Sequence, residues 1–177
     1  LGYTGPLSGP AAEYGQDILN GVDMAVKELN AGGGISVKGK KYTFKLERLD
    51  DRIDPTQAVN NARRFKSNGA IAVFNGVFNT IAPIMKINEE KGAEFIMMAY
   101  TSTPLAEKLG NNLLVIATPD FNDYVRVFAD WALKKNWKKC AMVVTVGSYG
   151  EEWSSAFKEH WTKKGGVITA DKPANYH

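Results

Sequence analysis

Residues 70–83 read AIAVFNGVFNTIAP: a short apolar run that stops at Asn75, a glycine, and a second apolar stretch broken by Asn79, Thr80 and Pro83. The first run is too short for a helix and has the composition of a buried strand. The second carries the marks of a helix start. Gly76 is expected to turn the chain sharply at the strand end, Asn79 or Thr80 to cap the helix, and Pro83 to fall in its first turn, where a missing N–H costs little. A strand that hands over to a helix in so few residues is the repeating unit of a parallel sheet.

The same change of hydrophobic period recurs on both sides. Upstream, a strand remnant (LGYTG) and the loop TGPLSGPAAEYG precede a helix over about 15–30, with Ile18, Leu19, Val22, Val26 and Leu29 on one face and Gly32 to Gly34 as its stop. Tyr42, Phe44 and Leu46 alternate with polar residues, which predicts a strand closed by Asp50 and Asp51. Asp54 and Pro55 predict the N-cap and first position of a helix that buries Ala58, Val59, Ala62 and Phe65. Downstream, the pattern predicts a helix over 80–91, strands at 94–99 and 113–116, and a crossover at 118–123. A helix with Val125, Phe128, Trp131 and Leu133 follows, then a strand at 141–146, a helix at 150–163 and a strand at VITA, 167–170.

The expected class is therefore α/β, a doubly wound parallel sheet in a Rossmann-like lobe over 1–118, with the first half of a second α/β lobe over 119–177. A lone helix-strand-helix-strand run leaves sheet edges and a helix face uncovered. The chain reads as the amino-terminal part of a two-lobed protein, with LGYTG as a strand already under way after removal of a leader.

With 177 residues and 44% hydrophobic content, the chain can build one substantial core, or one domain and part of another. The net charge of +3 is spread over both halves and lacks the basic field of a nucleic-acid binder. The lysine pairs at 134–135, 138–139 and 163–164 fall near helix ends, where cations favour the dipole. No window approaches the roughly 18 apolar residues of a membrane span. The single cysteine, Cys140, cannot close an internal disulfide and is expected as an inert thiol in a buried strand.

In an open parallel sheet the ligand crevice lies beyond the carboxyl ends of the strands. The loops expected there, TGPLSGPAAEYG, DDRID, NGVFNT, AYTSTP and VGSYGEE, carry hydroxyl, amide and tyrosine side chains suited to a small ligand. In NGVFNTIAP the N–H groups of the helix start and the Thr80 hydroxyl suit an anion such as a carboxylate, and an ordinary cap with nothing bound fits the same residues. Enzymatic motifs are missing: the glycines at 2, 5 and 9 do not make GxGxxG, no GxxxxGK[ST] occurs, and a zinc site or serine triad would have only His160 and His177. Asp50 and Asp51 fit a flavodoxin-like phosphoacceptor or enzyme only with a third carboxylate at a neighbouring strand end. Asn75, Ala99 and Gly147 stand there instead.

The stretch GYTGPLSGPAAEYGQDILNGVDMAVKELNAGGGI resembles the opening of the type I periplasmic binding proteins related to the leucine/isoleucine/valine-binding protein. The likeness continues through DDRIDPTQAVNNARRF, NGVFNTIAP, MAYTSTPLAE and SYGEEW, and so covers essentially the whole chain. This resemblance implies an extracytoplasmic receptor, periplasmic or extracellular and in some cases lipid-anchored. Such a receptor closes two lobes over a small-molecule ligand, an amino acid or related carboxylate, and delivers it to the membrane permease of an ABC transporter. It implies a monomer, with no cofactor and no chemistry on the ligand. Thr80 falls where the family holds the ligand carboxylate, with Asn79 beside it; Ser102 matches a hydroxyl position in the next loop and Tyr100 a position that offers its backbone carbonyl. Tyr14 and Tyr149 match aromatic positions of the side-chain pocket. At the crossover, where amino-group binders carry Asp, the chain reads PDF, with Asp120 and Phe121 in either register. The disulfide of some members would join positions near Ile53 and Asn79, and neither is Cys. An aromatic acid is the alternative to a branched-chain amino acid, given Tyr100, Phe78 and Phe121.

Overall fold

A computed structural model describes residues 1–175, and His177 lies outside them. By internal contacts the chain divides into two compact units: Leu1–Thr101 with Gly110–Ala117, and Ser102–Leu109 with the chain from Thr118 onward.

The first unit runs β1 (Gly2–Gly5), α1 (Ala12–Ala31), β2 (Ile35–Val37), β3 (Lys40–Tyr42), β4 (Glu47–Asp50), α2 (Pro55–Ser67), β5 (Ala72–Asn75), α3 (Phe78–Ile84), β6 (Ile96–Ala99) and β7 (Leu114–Ile116). Five strands form one parallel sheet in the order β4-β1-β5-β6-β7, the doubly wound arrangement. From β1 the chain moves outward to β4 on one side and then to β5 on the other, so the strand order reverses beside β1. Register aligns the carboxyl ends: Gly5 opposite Asp50, Asn75 opposite Ala99, Ala99 opposite Ile116.

Helices α2 and α3 close one face of this sheet, with Ala58, Ala62, Phe65, Ile81 and Ile84 packed on Val73, Met97 and Ala99. Gly2 faces them, because a Cβ there would meet the Phe65 ring at 2.4 Å. Tyr3, one residue on, therefore faces the other way, toward α1, and its hydroxyl donates to the Gly15 carbonyl at 2.6 Å. Asp54 caps α2 as expected, its side chain accepting from the Gln57 N–H at 2.6 Å, with Pro55 opening the helix.

Three expectations change. The strand predicted through Tyr42, Phe44 and Leu46 is two elements: β3 pairs antiparallel with β2 in an exposed hairpin, and β4 joins the main sheet. The hairpin closes at Lys38-Gly39, where both residues have positive φ, and a lysine in place of the usual Asn or Asp before that glycine hid it from the pattern. The helix predicted over 80–91 ends at Ile84, after which Lys86 and Ile87 bond to Pro83 and Ile84, the tighter i to i−3 spacing. Leu29, expected on the buried face of α1, is exposed.

The second unit holds α4 (Leu105–Lys108), α5 (Phe121–Lys134), β8 (Lys139–Thr145), α6 (Ser148–Lys163) and β9 (Val167–Ala174), with β8 and β9 parallel. Val125, Ala129, Met142, Phe157 and Trp161 form its core. Phe128 and Trp131 are about half exposed, because Val125 and Ala129 occupy the inward face of α5. Cys140 is half-buried rather than fully enclosed, and burial pushes its thiol up, away from the reactive thiolate. Among the described residues, no helix is long and apolar enough to cross a membrane.

Candidate functional site

The candidate residues assemble in two clusters, one per unit. In the first unit, Tyr14, the turn from Gly76 to Thr80, and Tyr100 lie at the carboxyl ends of β5 and β6. The Tyr14 hydroxyl donates to the Gly76 carbonyl at 3.0 Å, and the Tyr100 N–H donates to the Asn75 carbonyl at 2.9 Å. Gly76 has no positive φ, and a Cβ there would meet only the tip of the Ile18 side chain, 2.3 Å from its Cδ1. Beside these residues a cavity of about 520 Å³ is lined by Tyr14, Ile18, Phe74, Asn75, Met98 and Tyr100. Tyr14 and Tyr100 are 45% and 47% exposed.

The helix start itself differs from the expectation. Val77, not Asn79 or Thr80, is the N-cap residue of α3, and Pro83 lies in the second turn rather than the first. No side chain caps the helix; an oxygen from the preceding strand braces its start instead, Asn75 Oδ1 accepting from the Val77 N–H at 2.8 Å and from the Thr80 hydroxyl at 3.0 Å. Thr80 is fully buried, its hydroxyl also 2.9 Å from the Val77 carbonyl and its N–H bonded to the same carbonyl. Asn79 is exposed. At the first positions of a helix the N–H groups have no partner within it, which leaves those of Phe78 and Asn79 as the donors of this turn.

Asn75 is the residue that sequence reasoning missed. A single Asn closing an otherwise apolar strand was a signal for it. Its Nδ2 donates to the carboxylate of Asp51 at 3.1 Å, which also accepts from the Thr4 hydroxyl at 3.1 Å and the Ile53 N–H at 2.9 Å. Burial pushes the Asp51 carboxyl up, the charge of Asp50 adds to this, and the three donors oppose it. Asp50 faces differently, taking the Leu7 N–H at 2.9 Å, the Arg52 N–H at 3.0 Å and the Ser8 hydroxyl. Desolvation raises Asp50 too, but those hydrogen bonds and Arg52 outweigh it and hold its carboxyl below the ordinary value. The two carboxylates are thus committed to separate partners, and among the described residues no three His, Cys, Asp or Glu side chains gather to hold a metal.

The second unit brings Ser102, Tyr149 and Phe121 together. The hydroxyls of Ser102 and Tyr149 are 2.8 Å apart, the Phe121 N–H donates to the Ser102 carbonyl at 2.8 Å, and the Phe121 and Tyr149 rings meet edge to face at 6.4 Å. Asp120 caps α5 through the Asn122 N–H at 2.6 Å, so it serves the helix, and Phe121 points into the cluster. A further contact, from the Thr103 hydroxyl to Glu152 at 2.8 Å, fastens the same loop to α6.

A Leu/Ile/Val-binding protein, BraC3, of Rhizobium johnstonii is 33% identical over 171 residues, spanning 96% of this chain and 45% of its own length. The Leu/Ile/Val-binding protein of Escherichia coli K12 is 32% identical over 161 residues, spanning 90% of this chain and 42% of its own length. The chain thus spans less than half the length of these relatives. Among solved structures, a solute-binding protein of an ABC transporter from Rhodopseudomonas palustris BisB5, in complex with 3,4-dihydroxybenzoic acid, matches 98% of this chain and 46% of its own. The TM-score is 0.81 at 19% identity, a likeness of fold. A substrate-binding protein of an ABC transporter from Desulfitobacterium hafniense, in complex with Leu, matches 98% of this chain and 50% of its own at a TM-score of 0.74 and 23% identity. The family model described as periplasmic binding protein matches residues 1–176, and the chain belongs to that family.

Proposed function

We propose that this chain forms the amino-terminal binding lobe, and part of the second, of an extracytoplasmic solute-binding protein that serves an ABC importer and performs no chemistry on its ligand. Its ligand is a small carboxylate, a branched-chain amino acid in the first reading, held where the strands of the first unit end. The observation that carries the reading is the convergence of Tyr14, the Gly76–Thr80 turn and Tyr100 at one strand-end edge beside an open cavity. Leu/Ile/Val-binding relatives at about one-third identity support the aliphatic amino acid.

The donors for the carboxylate are the N–H groups of Phe78 and Asn79 and the Thr80 hydroxyl, which turns from Asn75 Oδ1 to the ligand on binding. Tyr14 and Tyr100 flank the ligand side chain. Ser102, Tyr149 and Phe121 supply the contacts of the second unit, and the two lobes close over the ligand by hinge motion, with the permease as the partner that receives it.

An aromatic carboxylate is the second reading. It is favoured by the lining of the cavity, which includes Phe74, Met98, Tyr14 and Tyr100. Isothermal titration of the full-length protein with L-leucine and with benzoate separates the two readings, and binding of neither would remove both. Thr80→Ala is expected to weaken the bound acid about 10- to 100-fold, the worth of a hydrogen bond to a charged group. An unchanged affinity would place the carboxylate elsewhere.

A further inference from the structure

Asp51 is a fully buried carboxylate, and among the described residues no cation pairs with it. The ion pair nearby belongs to Asp50, whose carboxylate meets Arg52. A buried anion held only by neutral donors is a costly choice where stability alone is served. Its effect on the neighbouring amide gives it a purpose. A carboxylate only accepts hydrogen bonds, so the NH₂ end of Asn75 must face Asp51. The carbonyl end of the same amide is thereby turned toward α3, where it takes the Val77 N–H and the Thr80 hydroxyl. Asp51 is itself fixed from behind by Thr4, whose hydroxyl accepts from Asn61 Nδ2 at 3.1 Å. Asn61 Nδ2 also reaches the Asp50 carbonyl at 3.0 Å. One continuous set of bonds therefore runs from α2 through the end of β4 and the end of β5 to the first turn of α3.

We infer that Asp51 is a positioning residue for ligand binding: by dictating which way the Asn75 amide faces, it sets the Val77 to Thr80 backbone and the Thr80 hydroxyl for the ligand. This rests on the reading of Thr80 as a ligand residue given above. An asparagine at position 51 would keep the size of the side chain but both donate and accept, so the Val77 N–H alone would be left to hold the Asn75 amide in the orientation that meets Thr80.

The test is a set of variants of the full-length protein titrated calorimetrically with L-leucine and benzoate, alongside thermal melts. Asp51→Asn is expected to weaken the acid that the wild type binds by about 10-fold while unfolding remains cooperative. Combined with Thr80→Ala it should cost nothing further, because it acts through Thr80. The transposed variant Asp51→Asn/Asn75→Asp, which returns an acceptor-only group to face Val77 and Thr80 with a donor behind it, should recover most of the affinity. Wild-type binding by Asp51→Asn while Thr80→Ala is weakened overturns the inference, and so does full additivity of the two changes. If Asp51→Asn fails to fold, the transposed variant decides: near-wild-type affinity supports the inference and weakened binding overturns it. Wild-type affinity in Thr80→Ala instead overturns the functional reading on which this one rests.

Discussion

A methyl group on Gly15 would stand 1.8 Å from the carbonyl oxygen of Pro6, so α1 can start where it does only because residue 15 has no side chain. The same relationship recurs in the second unit, where a Cβ on Gly150 would come 1.8 Å from the Thr145 carbonyl oxygen. In both places the residue before the glycine is a tyrosine, Tyr14 or Tyr149. The glycine lets each helix seat against the end of the strand before it, and the tyrosine is carried to the strand-end edge. Gly15→Ala and Gly150→Ala are each expected to destabilise by about 1–3 kcal/mol, the range of overpacking a tight contact. Gly21→Ala, in the same helix with nothing within 4 Å of its Cβ position, should instead stabilise by up to about 1 kcal/mol. Urea midpoints of the three variants check the contrast.

Removing the hydroxyl of Tyr14 deletes the bond to the Gly76 carbonyl and leaves the ring in place. Tyr14→Phe should cost about 0.5–1.5 kcal/mol of stability with little change in ligand affinity, and Tyr14→Ala should lose affinity as well. Melting temperatures and titrations of the two variants separate the anchoring bond from the binding surface.

Ser102 and Tyr149 are expected to be energetically coupled through their 2.8 Å contact. A double-mutant cycle with Ser102→Ala and Tyr149→Phe should return a coupling of about 0.5–1.5 kcal/mol in the ligand-free protein. A coupling near zero would show that the loop is held by its other bond, from Thr103 to Glu152.

The adjacent carboxylates should respond to pH with opposite signs. Asp50 is held below its ordinary value in the folded state, so the stability it contributes is present above the unfolded value and is lost as pH falls through the folded one. Asp51 is raised, so its contribution is present below the unfolded value and is lost as pH rises through the folded one. Relative to the wild type, Asp50→Asn should therefore become less damaging on acidification below about pH 4, the ordinary Asp value. Asp51→Asn should become less damaging as pH rises above that value. Urea midpoints across this range, compared variant against wild type, read the two slopes directly.

The alternation of strand and helix, the α/β class and the order of the major elements were legible in the sequence, because a buried strand and an amphipathic helix impose different periods on the apolar residues. The cap at Asp54-Pro55 was legible for the same local reason: its partners lie within one turn. The loops that gather at the strand ends could be named once the sheet was known to be parallel, since such a sheet places every such loop at one edge. The family likeness added the individual residues of those loops.

What only the tertiary structure decided concerns partners far apart in the chain. The start of α3 looked like a local cap by Asn79 or Thr80, but no side chain caps it; the turn is braced by Asn75, which donates to Asp51, 24 residues earlier. The hairpin at Lys38-Gly39 and the outward turn of Phe128 and Trp131 likewise depend on backbone conformation and on which face of a helix finds a neighbour. Hydrophobic periodicity records that a residue is apolar at a given spacing. It holds no information about which strand end will stand opposite, and it is that juxtaposition, an acceptor-only carboxylate against an amide, that orders the candidate binding turn.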